Sequence, residues 1–243
     1  MIPKKIHYCW FGRNPKSDLA LKCIESWKQK LPDYEMIEWN EDTFDIEENV
    51  YCKEAYEAKK WAFVTDYVRL KVLYEYGGIY MDTDVEVLDS LDEFLSCKAF
   101  SGFESDCSVP TGIMASEAGH PYVKELLEYY NDRHFLLEDG TYDETNNVMI
   151  ITAMTQKKGL VLDNTMQVIE DFVFYPKDYF CPKSWKTRKI NITENTKTIH
   201  HFAGSWLSEE IQRSNKRYLF VMRLFGEKVA DFLLDLKYKI SRK

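Results

Sequence analysis

The chain has 243 residues, 45% of them hydrophobic and 15% aromatic, which suits one substantial packed domain, alone or with an appended helical piece, and excludes a disordered chain. A net charge of −8 argues against general nucleic-acid binding, and no run approaches the roughly 18–20 apolar residues needed to span a bilayer. The six cysteines (Cys9, Cys23, Cys52, Cys97, Cys107 and Cys181) form no Cys-x-x-Cys pair; with no secretory signal at Met1–Lys5 they read as reduced thiols of a cytoplasmic protein.

Residues 3–13 read as a first strand leaving into a loop, and in a doubly wound α/β sheet such strand ends line the ligand crevice. Two readings of Trp10 are open there, core packing and ligand contact. His7 reads as a structural residue within the strand. Leu19 to Leu31 reads as a helix stopped by Pro32, and Tyr34 to Trp39 as a second strand, a βαβ-like opening. Glu41 to Glu48 reads as a solvated loop and helix start. Phe63, Tyr67, Leu70 and Tyr74 then recur at the spacing of an amphipathic helix. Gly77-Gly78 supplies the left-handed turn that ends it, and Ile79-Tyr80-Met81 is an interior strand. Asp82 and Asp84 follow, two residues apart, so in extended chain their side chains point the same way. Neighbouring carboxylates repel unless a cation lies beside them, and hard oxygen donors suit magnesium or manganese, ions that also hold phosphates. The other reading of Asp-Thr-Asp is a solvated turn. Asp66 and Arg69, at i and i+3, add a charged pair on one helical face nearby.

Phe63-Val64-Thr65-Asp66-Tyr67-Val68-Arg69 followed by Gly77-Gly78-Ile79-Tyr80-Met81-Asp82-Thr83-Asp84 resembles the signature of glycosyltransferase family 32, the DxD-motif sugar transferases that include capsule and O-antigen enzymes. The region is also similar to the glucosyltransferase domain of large clostridial toxins. The resemblance implies a nucleotide-sugar-binding α/β fold of the GT-A type with a mixed central sheet, a divalent metal (Mn2+ or Mg2+) and retention of anomeric configuration. It implies that Asp66 and Arg69 hold the donor's hydroxyls. Trp10, in a stretch that resembles the family's Ile-His-x-x-Trp-x-Gly opening, stacks on the nucleotide base by that likeness. Thr65, Tyr80 and Asp82 are carried over as further donor-binding positions.

After Asp84, Val85 to Leu88 alternates like an exposed strand. A calcium loop could use Asp82, Asp84, Glu86 and Glu93, but its glycine position is Val87. A haloacid-dehalogenase-type phosphohydrolase would need Thr or Val where Glu86 stands. Phe100–Glu104 and Gly112–Ala115 read as strands, Tyr122–Tyr130 as a helix. Thr111 and Gly112 sit near the donor sugar by approximate alignment, and Asn146-Asn147 opens another helix; helix capping is the alternative role for such residues. Ile199 to Trp206 resembles the family's C-terminal His-x-x-x-Ser-Trp element. By that likeness His201 completes the metal site with Asp82 and Asp84, and Ser205 and Trp206 close over the diphosphate.

From 213 to 243 nine basic residues face three acidic ones, so the acidic excess lies in the body, 1–212. Tyr218, Met222, Phe225, Val229, Phe232, Leu236 and Ile240 make this stretch a basic amphipathic C-terminal helix, packed on the body or resting peripherally on the inner membrane face. The expected activity is metal-dependent transfer of a hexose from a nucleotide diphosphate sugar, UDP-linked by preference, to a hydroxyl on a glycan or lipid-linked acceptor in bacterial surface polysaccharide synthesis. Asp66, Arg69, Asp82, Asp84 and Trp206 carry it. A DxD phosphohydrolase and a non-catalytic metal- or sugar-binding module are the alternatives.

Overall fold

Apolar side chains alternate along the strands and sort to the two faces of one sheet. The structure, a computed structural model, describes residues 1–204, 209–226 and 229. In chain order it holds β1 (Lys5–Cys9), α1 (Asp18–Lys30), β2 (Glu35–Trp39), α2 (Val50–Glu57), α3 (Trp61–Tyr76), β3 (Gly78–Met81), β4 (Val85–Val87), β5 (Ala99–Gly102), β6 (Ile113–Ser116), α4 (Pro121–Glu128), α5 (Asn147–Lys157), β7 (Gln167–Ile169), β8 (Phe172–Tyr175), α6 (Lys177–Phe180), β9 (Thr198–His200) and α7 (Glu209–Phe225). Seven strands form a mixed sheet in the order β2-β1-β3-β6-β5-β8-β7; β4 and β9 form a second, two-stranded antiparallel sheet. The expected α/β class with a mixed central sheet flanked by helices is the one observed.

The period of two is visible in β3 and β6. Tyr80 and Met114 point into one apolar layer with residues of α2, α3, α4 and α5. Ile79, Met81, Ile113 and Ala115 point into the other, with Trp27 of α1, Phe94, Phe100 and Phe180. Burying each such side chain stabilises the fold by about 1.5–3 kcal/mol, and the sheet needs helices on both faces to do it.

In α3 the sequence expectation of an amphipathic helix is corrected. Phe63, Val64, Asp66, Tyr67, Val68, Arg69, Leu70, Val72 and Leu73 are all buried, so the helix is enclosed on nearly every side. It packs against α2, α4 and the strands β1, β3 and β6, which leaves little of it to water. The charged pair Asp66–Arg69 is therefore interior. Gly77 (φ +60°) and Gly78 (φ +115°) end the helix; a Cβ on Gly77 would lie 2.6 Å from the backbone nitrogen of Ala118, so any side chain there is excluded. His7 supports the same junction, its Nε2 donating to the Gly77 carbonyl at 2.8 Å while Trp39 Nε1 donates to its Nδ1 at 3.0 Å. That is the structural role expected of it.

Residues 1–183 with 191–201 form one compact unit, and 184–190 with the described residues from 202 to 229 belong to a second. The sequence placed a boundary at 212/213 instead. Within α7 the expected stripe is redrawn. Tyr218 and Met222 are half-buried, whereas Phe220, Leu224 and Phe225 are exposed. Lys216, Arg217 and Arg223 are exposed on the same helix. Phe232, Leu236 and Ile240 lie outside the described residues. No helix among the described residues is long and apolar enough to cross a membrane.

Candidate active site

The carboxyl end of β3 runs into a tight turn, with the Val85 N–H donating to the Asp82 carbonyl at 3.0 Å. The extended spacing expected for Asp82 and Asp84 is thus replaced by a turn, and both carboxyls still converge because the chain folds back into β4. β4 pairs with β9 in the register Val85↔His200, which lays a distant strand beside the acids. His200 Nε2 lies 3.4 Å from Asp84 Oδ1 and 4.0 Å from Asp82 Oδ2. One ligating atom from each of Asp82, Asp84 and His200 falls within 4.8 Å of the others. Two carboxylates and one imidazole suit a magnesium- or manganese-like ion.

The sequence assigned His201 to this site, and the structure corrects it to His200. His200 is the last residue of β9 and His201 the first beyond it, and this one-residue step sends the two rings to different partners. His201 Nε2 donates to Glu86 Oε2 at 2.7 Å, and Lys183 Nζ approaches its Nδ1 at 3.3 Å. Glu86 also receives Lys22 at 2.9 Å, so His201 belongs to a separate charged cluster. On the acid side, Gly112 makes room: a Cβ there would stand 2.9 Å from Val85 Cγ2, 3.1 Å from Asp82 Oδ2 and 3.2 Å from His200 Cδ2. Burial alone would push the His200 imidazole down, but the Asp84 charge and the polar groups of Asp84, Cys181 and Glu104 beside the ring raise it well above the ordinary histidine range. The group of side chains attracts positive charge.

Behind Asp82 lies a buried network. Tyr80 Oη donates to Asp82 Oδ1 at 3.0 Å, and Arg69 Nη2 reaches the same oxygen at 3.2 Å. Arg69 Nη2 also lies 3.2 Å from Asp66 Oδ1, and its guanidinium sits 4.6 Å over the Tyr80 ring. Asp66 Oδ2 accepts from the Asn147 backbone N–H at 3.0 Å, at the start of α5. Burial pushes the Asp66 carboxyl up to about 6 despite the Arg69 charge beside it. The same burial disfavours the Arg69 cation, yet Asp82, Tyr80 and Asp66 hold it charged. Among the described residues, Arg69 Nε, both amide atoms of Asn147 and the Thr111 hydroxyl are buried without a hydrogen-bond partner. Such atoms are costly to bury unless something supplies the missing bonds.

Residues 17–101, which contain Asp66, Arg69, Asp82 and Asp84, match the family described as "Glycosyltransferase sugar-binding region containing DXD motif". Residues 17–101 are thus similar to a glycosyltransferase sugar-binding region. The chain is similar to inositol phosphoceramide mannosyltransferase 3 of Schizosaccharomyces pombe, 28% identical over 133 residues, covering 52% of this chain and 36% of that protein. It is also similar to mannosyl phosphorylinositol ceramide synthase CSH1 of Saccharomyces cerevisiae, 26% identical over 186 residues, covering 74% of this chain and 49% of that one. The chain thus spans less than half the length of either relative. Among solved structures, galactosyltransferase LgtC in complex with donor and acceptor sugar analogs shares 12% identity at a TM-score of 0.45, covering 88% of this chain and 93% of that one. The PaToxG glycosyltransferase shares 18% identity at the same TM-score of 0.45, covering 64% and 69%.

The remaining expected residues fall in different places around Asp82, Asp84 and His200. Trp10 lies just past β1, whose pairing with β3 (His7↔Tyr80) brings its end level with the end that carries Asp82. Its ring is half-exposed, with Nε1 donating to the Asn14 carbonyl at 2.6 Å and Lys16 Nζ 5.7 Å above it. Thr65 Oγ1 donates back to the Trp61 carbonyl at 3.0 Å within α3. Tyr80 is corrected from a donor-binding to a supporting role: it is 1% exposed and its hydroxyl is given to Asp82. Ser205 and Trp206 lie outside the described residues. The calcium-loop alternative is overturned, because Val87 is buried in β4 opposite Thr198 and Glu93 is paired with Lys197 at 2.8 Å. Sequence reasoning chose His201 over its neighbour His200, missed Glu104, and held Gly112 and Asn147 only loosely. Their signal lay in a Gly next to a Thr before a strand and an Asn pair opening a helix, patterns that turns and caps produce just as readily.

Proposed function

We propose that the chain is a retaining, metal-dependent glycosyltransferase that moves a hexose from a nucleotide diphosphate sugar to a glycan hydroxyl. The observation that carries this reading is the convergence of Asp82, Asp84 and His200 beside buried, partnerless polar groups on Arg69, Thr111 and Asn147. A Mn2+ or Mg2+ ion, held by those three side chains, would supply the charge neutralisation that diphosphate departure demands. Arg69 and Asp66 orient the donor sugar through its hydroxyls, and Asn147 offers an amide donor and acceptor to the same sugar. Tyr80 and Arg69 keep Asp82 in place from behind. Trp10 stacks on the base. The bond from anomeric carbon to phosphate oxygen breaks, and the leaving phosphate takes the proton of the acceptor hydroxyl that attacks from the same face. Trapping a covalent sugar–enzyme adduct would overturn that front-face route.

The carrier favoured by Trp10 is UDP. A second reading, a mannosyl donor, is favoured by the names of the two yeast relatives. The test is a panel of UDP-glucose, UDP-galactose, UDP-N-acetylglucosamine and GDP-mannose, each assayed for hydrolysis with Mn2+ and with chelator. One donor is expected to turn over, only with metal. Phosphate release from simple esters with no donor turnover would favour a phosphohydrolase, and metal binding with no turnover a binding module.

We place this activity in surface polysaccharide synthesis on the inner membrane face, reached from the cytoplasm. The exposed Phe220 and Leu224 flanked by Lys216, Arg217 and Arg223 suit an anionic bilayer and a lipid-linked acceptor. Cosedimentation with vesicles containing phosphatidylglycerol is expected for the wild type and lost in Lys216→Glu/Arg217→Glu/Arg223→Glu; equal pelleting of the two would remove the idea.

A further inference from the structure

His200 has a carboxylate facing each of its ring nitrogens. On one side Nε2 faces Asp84 and Asp82, as described above. On the other, Nδ1 lies 3.5 Å from Glu104 Oε1. Glu104 stands where β5 gives way to a short reverse loop, its own N–H donating to the Ser108 carbonyl at 2.9 Å. Phe103 before it is wholly buried, which anchors the start of the loop. The loop returns through Thr111 to Gly112, where an added Cβ would stand 3.2 Å from His200 Cδ2, so both ends of one segment lie close to the same ring. The Glu104 side chain is only 19% exposed. Among the described residues its carboxylate has no ion-pair partner other than His200.

This placement separates Glu104 from the cation ligands. An imidazole has its two nitrogens on different edges, so a carboxylate at Nδ1 is aimed away from an ion held at Nε2. Glu104 can act on that ion only through the ring. An imidazole ligand must present a lone pair at the binding nitrogen and a proton at the other, and the group that accepts this proton sets both the tautomer and the ring orientation. The Cys181 thiol also lies beside the ring, but a thiol is a weaker acceptor than a carboxylate.

We infer that Glu104 is a positioning residue that accepts the Nδ1 proton of His200 and thereby holds Nε2 toward Asp82 and Asp84, preparing the three-residue cation site. The inference rests on the metal-dependent reading above. It goes beyond it by assigning a residue outside the acid pair and outside the histidine element.

The experiment measures Mn2+ affinity of the full chain, without nucleotide, by the loss of the free-ion electron paramagnetic resonance signal. Wild type, Glu104→Gln and Glu104→Ala are compared, with melting in chelator confirming that each is folded. Glu104→Ala is expected to weaken Mn2+ by about 10–100-fold, the usual cost of losing such a partner. Glu104→Gln, whose amide oxygen still accepts the Nδ1 proton, is expected to retain most of the affinity. Nitrogen-15 spectra of histidine in the Mg2+-loaded protein are expected to show His200 as the Nδ1–H tautomer in wild type and Glu104→Gln, and a mixture in Glu104→Ala. Equal losses in Gln and Ala would mean that the carboxylate acts through its charge alone, and would overturn the positioning role. Unchanged affinity in Glu104→Ala would overturn it too, while leaving the metal reading intact. A wild type that binds no Mn2+ would overturn both.

Discussion

Asp84→Asn is expected to lower metal-dependent donor turnover by about 10²–10³-fold, and His200→Ala to weaken Mn2+ binding while His201→Ala leaves it close to wild type. Asp84 is the acid nearest the His200 ring, at 3.4 Å, and it supplies charge where charge is needed. The asparagine is nearly isosteric, so the fold is kept while a formal negative charge is removed. Losing one preorganised electrostatic group of this kind costs about 3–4 kcal/mol in the transition state. The histidine comparison is the sharper half. His200 and His201 are adjacent, chemically identical and both largely enclosed, yet only His200 shares the space of the acids. His201→Ala gives up a hydrogen bond to Glu86 and should lose little affinity. Turnover that persists undiminished under exhaustive chelation, or metal binding that depends on His201 rather than His200, would sink the assignment.

Arg69→Met is expected to destabilise the folded chain by about 3–5 kcal/mol near neutral pH, because it leaves Asp66 as an uncompensated interior charge. For a chain of this size that corresponds to a fall in Tm of about 10 °C. The deficit should shrink on acidification. Burial holds the Asp66 carboxyl at about 6, above its ordinary 3.8, so the folded chain binds a proton that the unfolded chain lacks between those two values. That group's contribution to stability therefore rises as pH falls through 6 and declines as pH rises. Without Arg69 the opposing attraction is gone and the carboxyl moves higher still. Urea denaturation of wild type and Arg69→Met at pH 5 and pH 7.5 checks this, with the larger gap expected at pH 7.5. A variant as stable as wild type at both pH values would show that the network is not carrying charge.

Much of the fold was legible because it rests on local chemistry. Pro32, Gly77 and Gly78 mark helix ends by removing a donor or permitting positive φ, and the apolar alternation of β3 and β6 needs no distant partner to be read. The enclosure of α3 was less so. A helix with Asp66, Arg69 and Lys71 along it looks half-exposed until α2 and α4 are seen to cover it, and only then does Arg69 become an interior cation with two carboxylates to satisfy. The order β2-β1-β3-β6-β5-β8-β7 likewise depends on pairings between strands far apart in the chain, as with β5 and β8.

The sequence by itself determined the α/β class, the helix–glycine–strand unit and the two acids at its end, since each follows from spacings within about twenty residues. Which histidine joins those acids was decided by tertiary structure alone. His200 and His201 differ by one position, and a one-residue step along a strand reverses the face a side chain occupies. Only the register of β9 against β4, Val85 opposite His200, selects between them. The same holds for Glu104 and Asn147, which come to the site from a loop and a helix start whose approach is set by how the chain packs.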